Sequence, residues 1–138
     1  MADCLFCRVV AGAQPAARVL EEEHCVAFLD TRPLFPGHVL LVPRDHHVTL
    51  ADLPRELVEP LFTTAQRLCR AVQAAQDAPG AFVAMNNVVS QSVPHLHVHV
   101  VPRRPKDGLR GFFWPRRKYT GSEEMEEVAA AIRGALRP

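Results

Sequence analysis

The sequence lacks a net charge of either sign, because 16 Lys and Arg nearly balance 15 Asp and Glu among its 138 residues. No overall field therefore favours nucleic acid or a membrane surface as a partner. No apolar run approaches the roughly 18 residues that span a bilayer. The start, MADCLFCRVV, has no basic segment of the kind that opens a secretory signal. We therefore expect a cytoplasmic protein that does not act at a membrane.

The motifs of several nucleotide and metal enzymes are also missing. The chain contains no GxGxxG, no GxxxxGK[ST] and no HExxH. What it does have is one domain's length, 48% hydrophobic residues and only four cysteines. A chain of this size can bury a core without disulfides, so we expect reduced thiols or a metal site.

The pattern of apolar residues predicts an α+β fold with a mainly antiparallel β-sheet, one long central helix and short helices at both termini. Helices are expected over 4–11, 57–75 and 123–136, and strands over 17–20, 25–29, 38–42, 81–85 and 98–101. The central helix should be capped at Asp52 or Leu53, and Pro60 should delay its start or kink it. Ser122 should cap the last helix. Its inner face is expected to comprise Met125, Val128, Ile132 and Leu136.

The stretch from Gln91 to Val101, QSVPHLHVHVV, carries the most chemical information. Alternate residues of a strand face the same side, so three imidazoles share one face and three apolar side chains face the core. The histidines are His95, His97 and His99, and the apolar residues are Leu96, Val98 and Val100. Three imidazoles in register need hydrogen-bond partners, which favours a chemical role over a purely structural one.

Two kinds of chemistry suit this row of histidines. The imidazoles could bind a catalytic metal, or one could attack phosphorus while its neighbours hold phosphate oxygens. The metal reading requires a nearby carboxylate, and no Asp or Glu lies between Asp77 and Asp107. The phosphate reading requires hydrogen-bonding side chains, which the sequence supplies at Asn86, Asn87, Gln91 and Ser92. The local composition therefore favours phosphate chemistry.

The segment HLHVHVV resembles the His-x-His-x-His-x-x signature of the histidine triad (HIT) family, and the preceding QSV is also typical of that family. The likeness extends to CLFCRVVAG near the start, AFLD at 27–30 and PGHVLLVPRDH at 36–46. The chain looks like a bacterial-type member. It is similar both to histidine triad nucleotide-binding proteins and to diadenosine polyphosphate hydrolases.

The resemblance implies a nucleotide hydrolase or transferase with no catalytic metal. His97 would attack the α-phosphorus of a purine nucleotide conjugate, giving a nucleotidyl-histidine that water then resolves. The resemblance groups His95, His99 and Ser92 with His97 as catalytic residues. Substrate-binding roles would fall to Asp30 at the ribose, His38, Gln91, and Asn86 or Asn87. The loop over 87–91 is shorter than in many relatives and lacks their glycines, so the choice between the two asparagines stays open.

The pair Cys4 and Cys7 is a weak motif, and two buried core cysteines would explain it equally simply. The resemblance implies a structural zinc ion held by Cys4, Cys7, His46 and His95. His47 is an adjacent competitor for the third position. Such an ion would tie the N-terminal helix to the sheet.

The segment 103–118 contains seven Lys or Arg and one Asp, with Phe112, Phe113, Trp114 and Tyr119 in or just after it. Cations beside aromatic rings can bind single-stranded nucleic acid. A loop packed on the sheet or on a partner subunit is the simpler explanation, so we do not expect nucleic acid.

We expect residues 1–138 to form one HIT domain and a homodimer, with 103–138 contributing to the dimer or to specificity. A nucleotide-binding regulatory module with little turnover is the alternative to an enzyme.

Overall fold

The computed structural model describes residues 3–110 and 116–136. Its elements are α1 (Leu5–Val10), β1 (Arg18–Glu21), β2 (Cys25–Leu29), β3 (Val39–Pro43), a 3₁₀ turn (Leu50–Asp52), α2 (Arg55–Ala75), β4 (Gly80–Ala84), β5 (Val98–Arg103) and α3 (Ser122–Ala135). They lie in two compact units, Met1–Asp107 and Gly108–Pro138, of which the second carries α3. The predicted aromatic cluster Phe112, Phe113 and Trp114 lies outside the described residues.

The first unit is built on one five-stranded sheet with the strand order β1-β2-β3-β5-β4. Every neighbouring pair is antiparallel. In the centre, Leu40 of β3 pairs with His99 of β5, and Ala84 of β4 pairs with His99 from the other side. The predicted α+β class with a mainly antiparallel sheet is confirmed. The pairing places the histidine strand in the interior of the sheet, where its backbone is held on both edges.

The central strands β2 and β3 are buried on both faces, and their consecutive residues alternate between two cores. Ala27 and Leu41 belong to the core under α2, which also contains Leu96, Val98 and Val100. Phe28 and Leu40 belong to the second core, under α1, together with Cys4, Phe6 and Val9. The strand period of two therefore explains why β2 and β3 read as continuous apolar runs.

The central helix begins earlier than Pro60 was expected to allow. Helix α2 starts at Arg55 with Pro54 at its N-cap position and runs through Pro60 to Ala75. Pro60 removes one backbone donor, and the hydroxyl of Thr64 donates to the carbonyl oxygen of Pro60 at 2.8 Å. The predicted cap Asp52 instead closes the 3₁₀ turn, where its carboxylate accepts from the Thr49 amide at 3.1 Å and from the Thr49 hydroxyl at 2.8 Å.

The C-terminal helix differs from the prediction in its cap and in its apolar face. Gly121, not Ser122, occupies the N-cap position of α3, and no side chain caps the helix. The four residues predicted to face inward are exposed, at 52% for Met125, 38% for Val128, 57% for Ile132 and 78% for Leu136. Periodicity identified the apolar stripe correctly, but periodicity carries no information about what covers it. Within 3–110 and 116–136, none of the helices has the length and apolar character of a membrane span.

Candidate functional site

The three histidines alternate with core residues as the sequence predicted, although only His99 lies within β5. His95 and His97 precede the strand, which starts at Val98. The side chains between them all join the core under α2. The rings of His95 and His97 pack edge-on against Phe6 of α1, with centroids 6.1 and 5.0 Å away. The histidines therefore share the face of the sheet that α1 covers.

One hydrogen bond fixes the tautomer of His97. Its Nδ1 lies 2.8 Å from the backbone carbonyl oxygen of His95. A carbonyl can only accept, so in the neutral ring the proton sits on Nδ1 and Nε2 keeps its lone pair. The ring is 3% exposed and packs against Phe6 and against His99, whose centroid is 5.0 Å away. In the neutral ring, the free nitrogen of His97 is thus Nε2.

A second chain of hydrogen bonds fixes His38 and His99. The Leu34 amide donates to His38 Nδ1 at 3.0 Å, which places the proton of the neutral His38 ring on Nε2. His38 Nε2 lies 2.9 Å from His99 Nδ1 and therefore donates to it. His99 must then carry its own proton on Nε2. Sequence reasoning missed Leu34, since a backbone amide has no residue-specific signal.

Burial keeps these two rings neutral near pH 7. Burial lowers the pKa of His99 to about 4, helped by the neighbouring His97 and His38, while Asp30 acts in the opposite direction. Burial also lowers the pKa of His38, again against the attraction of the Asp30 carboxylate, which lies 3.7 Å from His38 Nε2. His99 consequently offers an uncharged Nε2–H donor.

A cavity of about 670 Å³ opens beside the histidines. Its polar lining includes Asp30, Ser92, His97 and His99, and its apolar lining includes Phe6, Val9, Phe28, Leu40 and Val93. The Asp30 carboxylate is held by the Arg32 amide, which donates to Oδ1 at 2.9 Å. This volume and mixed lining suit a small molecule with one apolar end and one hydrogen-bonding end.

The two asparagines predicted to line a pocket instead hold loops in place. Asn87 Oδ1 accepts from the Leu50 amide at 2.7 Å, and Asn86 Nδ2 donates to the Ser90 carbonyl at 3.2 Å. Both asparagines are exposed, and neither is among the described residues that line the cavity. A substrate-binding role for either one stays a prediction.

Gln91 also closes the loop before the triad. Its Nε2 donates to the Val48 carbonyl at 2.6 Å, and its Oε1 accepts from the Val88 amide at 3.1 Å. The loop has two non-glycine residues in the left-handed region, Val88 at φ 71° and Ser90 at φ 62°. Such backbone is costly for a β-branched residue, so the surrounding hydrogen bonds must hold it. The adjacent Ser92 does line the cavity.

Four predicted ligands converge at the N-terminus of α1. Cys4 Sγ lies 3.4 Å and Cys7 Sγ 3.5 Å from His95 Nδ1, while Cys7 Sγ lies 3.3 Å from His46 Nδ1. A zinc ion with Zn–S bonds of about 2.3 Å and Zn–N bonds of about 2.0 Å separates tetrahedral S and N ligands by roughly 3.5 Å. The donor set and its spacing therefore fit a tetrahedral ion.

The tautomer of His95 fits the same conclusion. Its Nε2 lies 2.9 Å from the Pro43 carbonyl and must donate, which leaves the Nδ1 lone pair for an ion. The ring is fully buried, and burial lowers its pKa. His46, not His47, completes the group of potential ligands within 4.8 Å of one another. His47 Nε2 is instead buried without a hydrogen-bond partner.

A second cluster, formed by Asp30, His38 and His99, also brings three potential ligand atoms within 4.8 Å. The hydrogen bonds of this cluster leave His38 without a ring lone pair for a metal ion. The Leu34 amide occupies His38 Nδ1, so the His38 atom that faces the cluster, Nε2, carries a proton. His38 donates to His99 instead, and the Asp30 carboxylate lies 3.7 Å from His38 Nε2 without a hydrogen bond to it.

The basic segment after β5 is partly engaged in local contacts. The Arg103 guanidinium makes two bonds to the Asp107 carboxylate, at 2.6 and 3.0 Å. Arg103 is not among the described residues that line the cavity. Tyr119 is 50% exposed.

Comparison with known proteins bears on both the fold and the site. A crystal structure of a HIT family member from Bacillus subtilis matches with a TM-score of 0.89 and 30% identity, covering 99% of each chain. A zinc-bound histidine triad family protein from Mycobacterium smegmatis matches with a TM-score of 0.75 and 36% identity, covering 94% of this chain and 98% of that one. The sheet and its helices are therefore those of HIT-family proteins.

The HIT domain family model matches residues 11–106, and the chain belongs to the HIT family. The uncharacterized HIT-like protein Rv1262c of Mycobacterium tuberculosis is 39% identical over 108 residues, covering 77% of this chain and 75% of that protein. Adenosine 5'-monophosphoramidase HNT1 of Saccharomyces cerevisiae is 30% identical over 114 residues, covering 83% and 71%. Adenylylsulfatase HINT3 of Arabidopsis thaliana is 31% identical over 109 residues, covering 78% of this chain but only 55% of that protein. The chain is thus related to hydrolases. Because the family model matches residues 11–106, the assignment of the whole range 1–138 to one domain stays a prediction.

Proposed function

We propose that this protein is a hydrolase or transferase that cleaves the α-phosphate linkage of nucleoside phosphoramidates or dinucleoside polyphosphates, through a nucleotidyl-histidine at His97. The observation that carries the proposal is the 2.8 Å hydrogen bond from His97 Nδ1–H to the His95 carbonyl. In the neutral ring this bond leaves the nucleophilic lone pair on Nε2, beside a cavity of about 670 Å³. The names of the two enzymes among the relatives, a monophosphoramidase and an adenylylsulfatase, support the same class of substrate.

In the proposed first step, His97 Nε2 attacks the α-phosphorus and a P–N bond forms. The bond from phosphorus to the leaving group breaks, and the leaving group departs with the electron pair and takes up a proton from solvent, while His97 keeps its own proton on Nδ1. The negative oxygens need hydrogen-bond donors, which the Nε2–H of His99 and the hydroxyl of Ser92 can supply. Water then attacks phosphorus, the P–N bond breaks, and nucleoside monophosphate is released.

The other end of the cavity suits the nucleoside. The Asp30 carboxylate can accept hydrogen bonds from ribose hydroxyls, and the aromatic and aliphatic wall formed by Phe6, Phe28 and Leu40 can bury a purine. His38 would act by holding His99, not by touching substrate, because its two ring nitrogens are engaged with Leu34 and His99.

The test is to incubate the protein with adenosine 5'-phosphoramidate and, separately, with a diadenosine polyphosphate. Wild type should form AMP and an AMP adduct that intact-mass and peptide analysis assign to His97. His97→Asn should form neither, whereas His24→Asn, at a half-exposed histidine outside the cavity, should behave as wild type. Nucleotide binding without product by the wild type would instead support a regulatory module.

We also propose a structural zinc ion at Cys4, Cys7, His46 and His95. The ligand spacing supports it, and so does the zinc-bound family member from M. smegmatis. When bound, the ion would supply charge neutralisation for the thiolates and a rigid link between α1 and the sheet. Protein purified without chelator should contain about one zinc per chain. Cys7→Ser should lose it and Cys69→Ser should keep it; a metal-free wild type would refute the site.

A homodimer remains our expectation for the quaternary structure. The exposed stripe of Met125, Val128, Ile132 and Leu136 on α3 supports it, because a contiguous apolar helix face gains free energy when a partner surface removes it from water. Light scattering should give twice the chain mass, and Ile132→Glu should shift it toward the monomer. A monomeric wild type would contradict this expectation.

A further inference from the structure

The cysteine–histidine cluster and the nucleophile meet at one residue. The ring of His95 belongs to the cluster, while the backbone carbonyl of the same residue accepts the hydrogen bond that orients His97. We propose that Zn²⁺ bound by Cys4, Cys7, His46 and His95 positions the nucleophile, so that its presence sets the rate at which His97 attacks phosphorus. This inference rests on the proposed function and makes the cluster more than a folding element.

The first route runs through the His95 main chain. Among the described residues, the hydrogen-bond partners of His95 Nδ1 are the thiols of Cys4 at 3.4 Å and Cys7 at 3.5 Å, and thiols are weak donors. Coordination would replace them with one bond of about 2.0 Å. The opposite nitrogen is already fixed on the Pro43 carbonyl at 2.9 Å, and the His95 amide donates to the Val93 carbonyl at 2.8 Å. Coordination would therefore complete the restraint of a buried residue whose carbonyl orients His97.

The second route runs through Phe6. Cys4 is the N-cap residue of α1 and Cys7 lies inside it, so two of the four ligands bracket Phe6 in the sequence. Helix α1 has six residues, too few to be stable without tertiary support. The Phe6 ring contacts the His97 ring edge-on at 5.0 Å, and Leu5, Phe6 and Val9 line the cavity. An ion that fixes α1 therefore also fixes the wall against which the nucleophile packs.

A purely structural ion would behave differently. Its removal would lower the folded fraction but would leave each folded molecule with the same His97 tautomer and the same rate of attack. In the mechanism proposed here, folded molecules without the ion hold the His95 carbonyl less rigidly, so a fraction of them lose its hydrogen bond to His97 Nδ1 and populate the other neutral tautomer. Only the form with a free Nε2 is competent, and a small misplacement of a reacting group costs up to about 100-fold in rate.

The experiment compares zinc-loaded and chelator-stripped protein at one pH, on chains with ¹⁵N-labelled histidine. In the loaded protein the His97 resonances should report a protonated Nδ1 and an unprotonated Nε2. In the stripped protein they should move toward the average of the two tautomers. The single-turnover rate of AMP-adduct formation, normalised to the folded fraction, should fall at least tenfold, and added Zn²⁺ should restore both readouts. Cys69→Ser should match wild type throughout.

If stripped wild type unfolds, His46→Ala provides the same comparison, because it keeps three ligands and can be titrated with Zn²⁺. Its adduct rate per folded molecule should then follow zinc occupancy. An unchanged His97 tautomer and an unchanged normalised rate on zinc removal would overturn this inference alone. Absence of any His97 adduct in the zinc-loaded protein would instead reject the proposed function.

Discussion

Replacing His38 tests the hydrogen-bond chain that prepares the candidate active site. His38 is 3% exposed, accepts from the Leu34 amide at 3.0 Å and lies 2.9 Å from His99 Nδ1. In His38→Ala, His99 Nδ1 loses its donor. The neutral His99 ring can then move its proton to Nδ1, which turns its Nε2 from a donor into an acceptor facing the phosphate oxygens.

The expected loss follows from that single donor. Removing one preorganised donor to a developing oxyanion costs about 10²–10³ in kcat. A hydrogen bond to a charged group is worth about 1.5–3 kcal/mol, which corresponds to roughly 10–200-fold. We therefore expect His38→Ala to lower kcat for adenosine 5'-phosphoramidate about 100-fold, after normalisation to the folded fraction.

His38→Gln is the matched control. The glutamine amide can reach the position of His38 Nε2 and donate to His99, so kcat should recover to within about tenfold of wild type. Steady-state kinetics of all three proteins at pH 7.5 give the comparison. An alanine variant within about threefold of wild type, or a glutamine variant as slow as alanine, would refute the reasoning.

Three further predictions concern stability and pH. Gly37→Ala should lower the free energy of unfolding by about 2 kcal/mol in denaturant titrations. Gly37 has φ 95°, and a Cβ there would lie 2.6 Å from Gln76 Cγ. An unchanged unfolding midpoint would contradict this prediction. Val88→Gly should raise stability by about 1 kcal/mol, since it relieves left-handed backbone at a side chain that is 71% exposed; a destabilised variant would show that the strain is not there. His99 has a folded-state pKa of about 4 against an ordinary 6.5, so the unfolded chain takes up the proton first. The neutral His99 ring therefore stabilises the folded state fully above pH 6.5. As the pH falls from 6.5 toward 4, the free energy of unfolding drops by up to about 3 kcal/mol. His99→Asn should therefore flatten the acid limb of a stability–pH profile, and equal slopes for the two proteins would count against a buried neutral His99.

The sequence predicted the local order of the site well because strand alternation is a local property. The repeat HLHVHV determined that three imidazoles would face away from Leu96, Val98 and Val100, and the structure places those three residues in the core under α2. The four proposed zinc ligands were also predicted by position, from the resemblance to the HIT family, and they converge as expected.

Long-range contacts account for what the sequence did not predict. Gln91 meets the Val48 carbonyl across 43 residues, and His95 meets the Pro43 carbonyl across 52. Backbone amides and carbonyls are the same at every position, so no residue pattern marks the ones that fix a tautomer. The apolar stripe on α3 follows from residue type and was predicted. Its exposure depends on tertiary packing and was not predicted.

The amino-acid sequence by itself determined which side chains could do the chemistry and which face of the sheet they would share, because both depend on residue type and a period of two. Only the tertiary structure decided which ring nitrogen of each histidine carries the proton. That choice depends on which single backbone carbonyl or amide the fold brings to each ring: the His95 carbonyl for His97, the Leu34 amide for His38, and the Pro43 carbonyl, 52 residues away, for His95. It decides which ring nitrogen keeps a lone pair for attack or for a metal and which one donates.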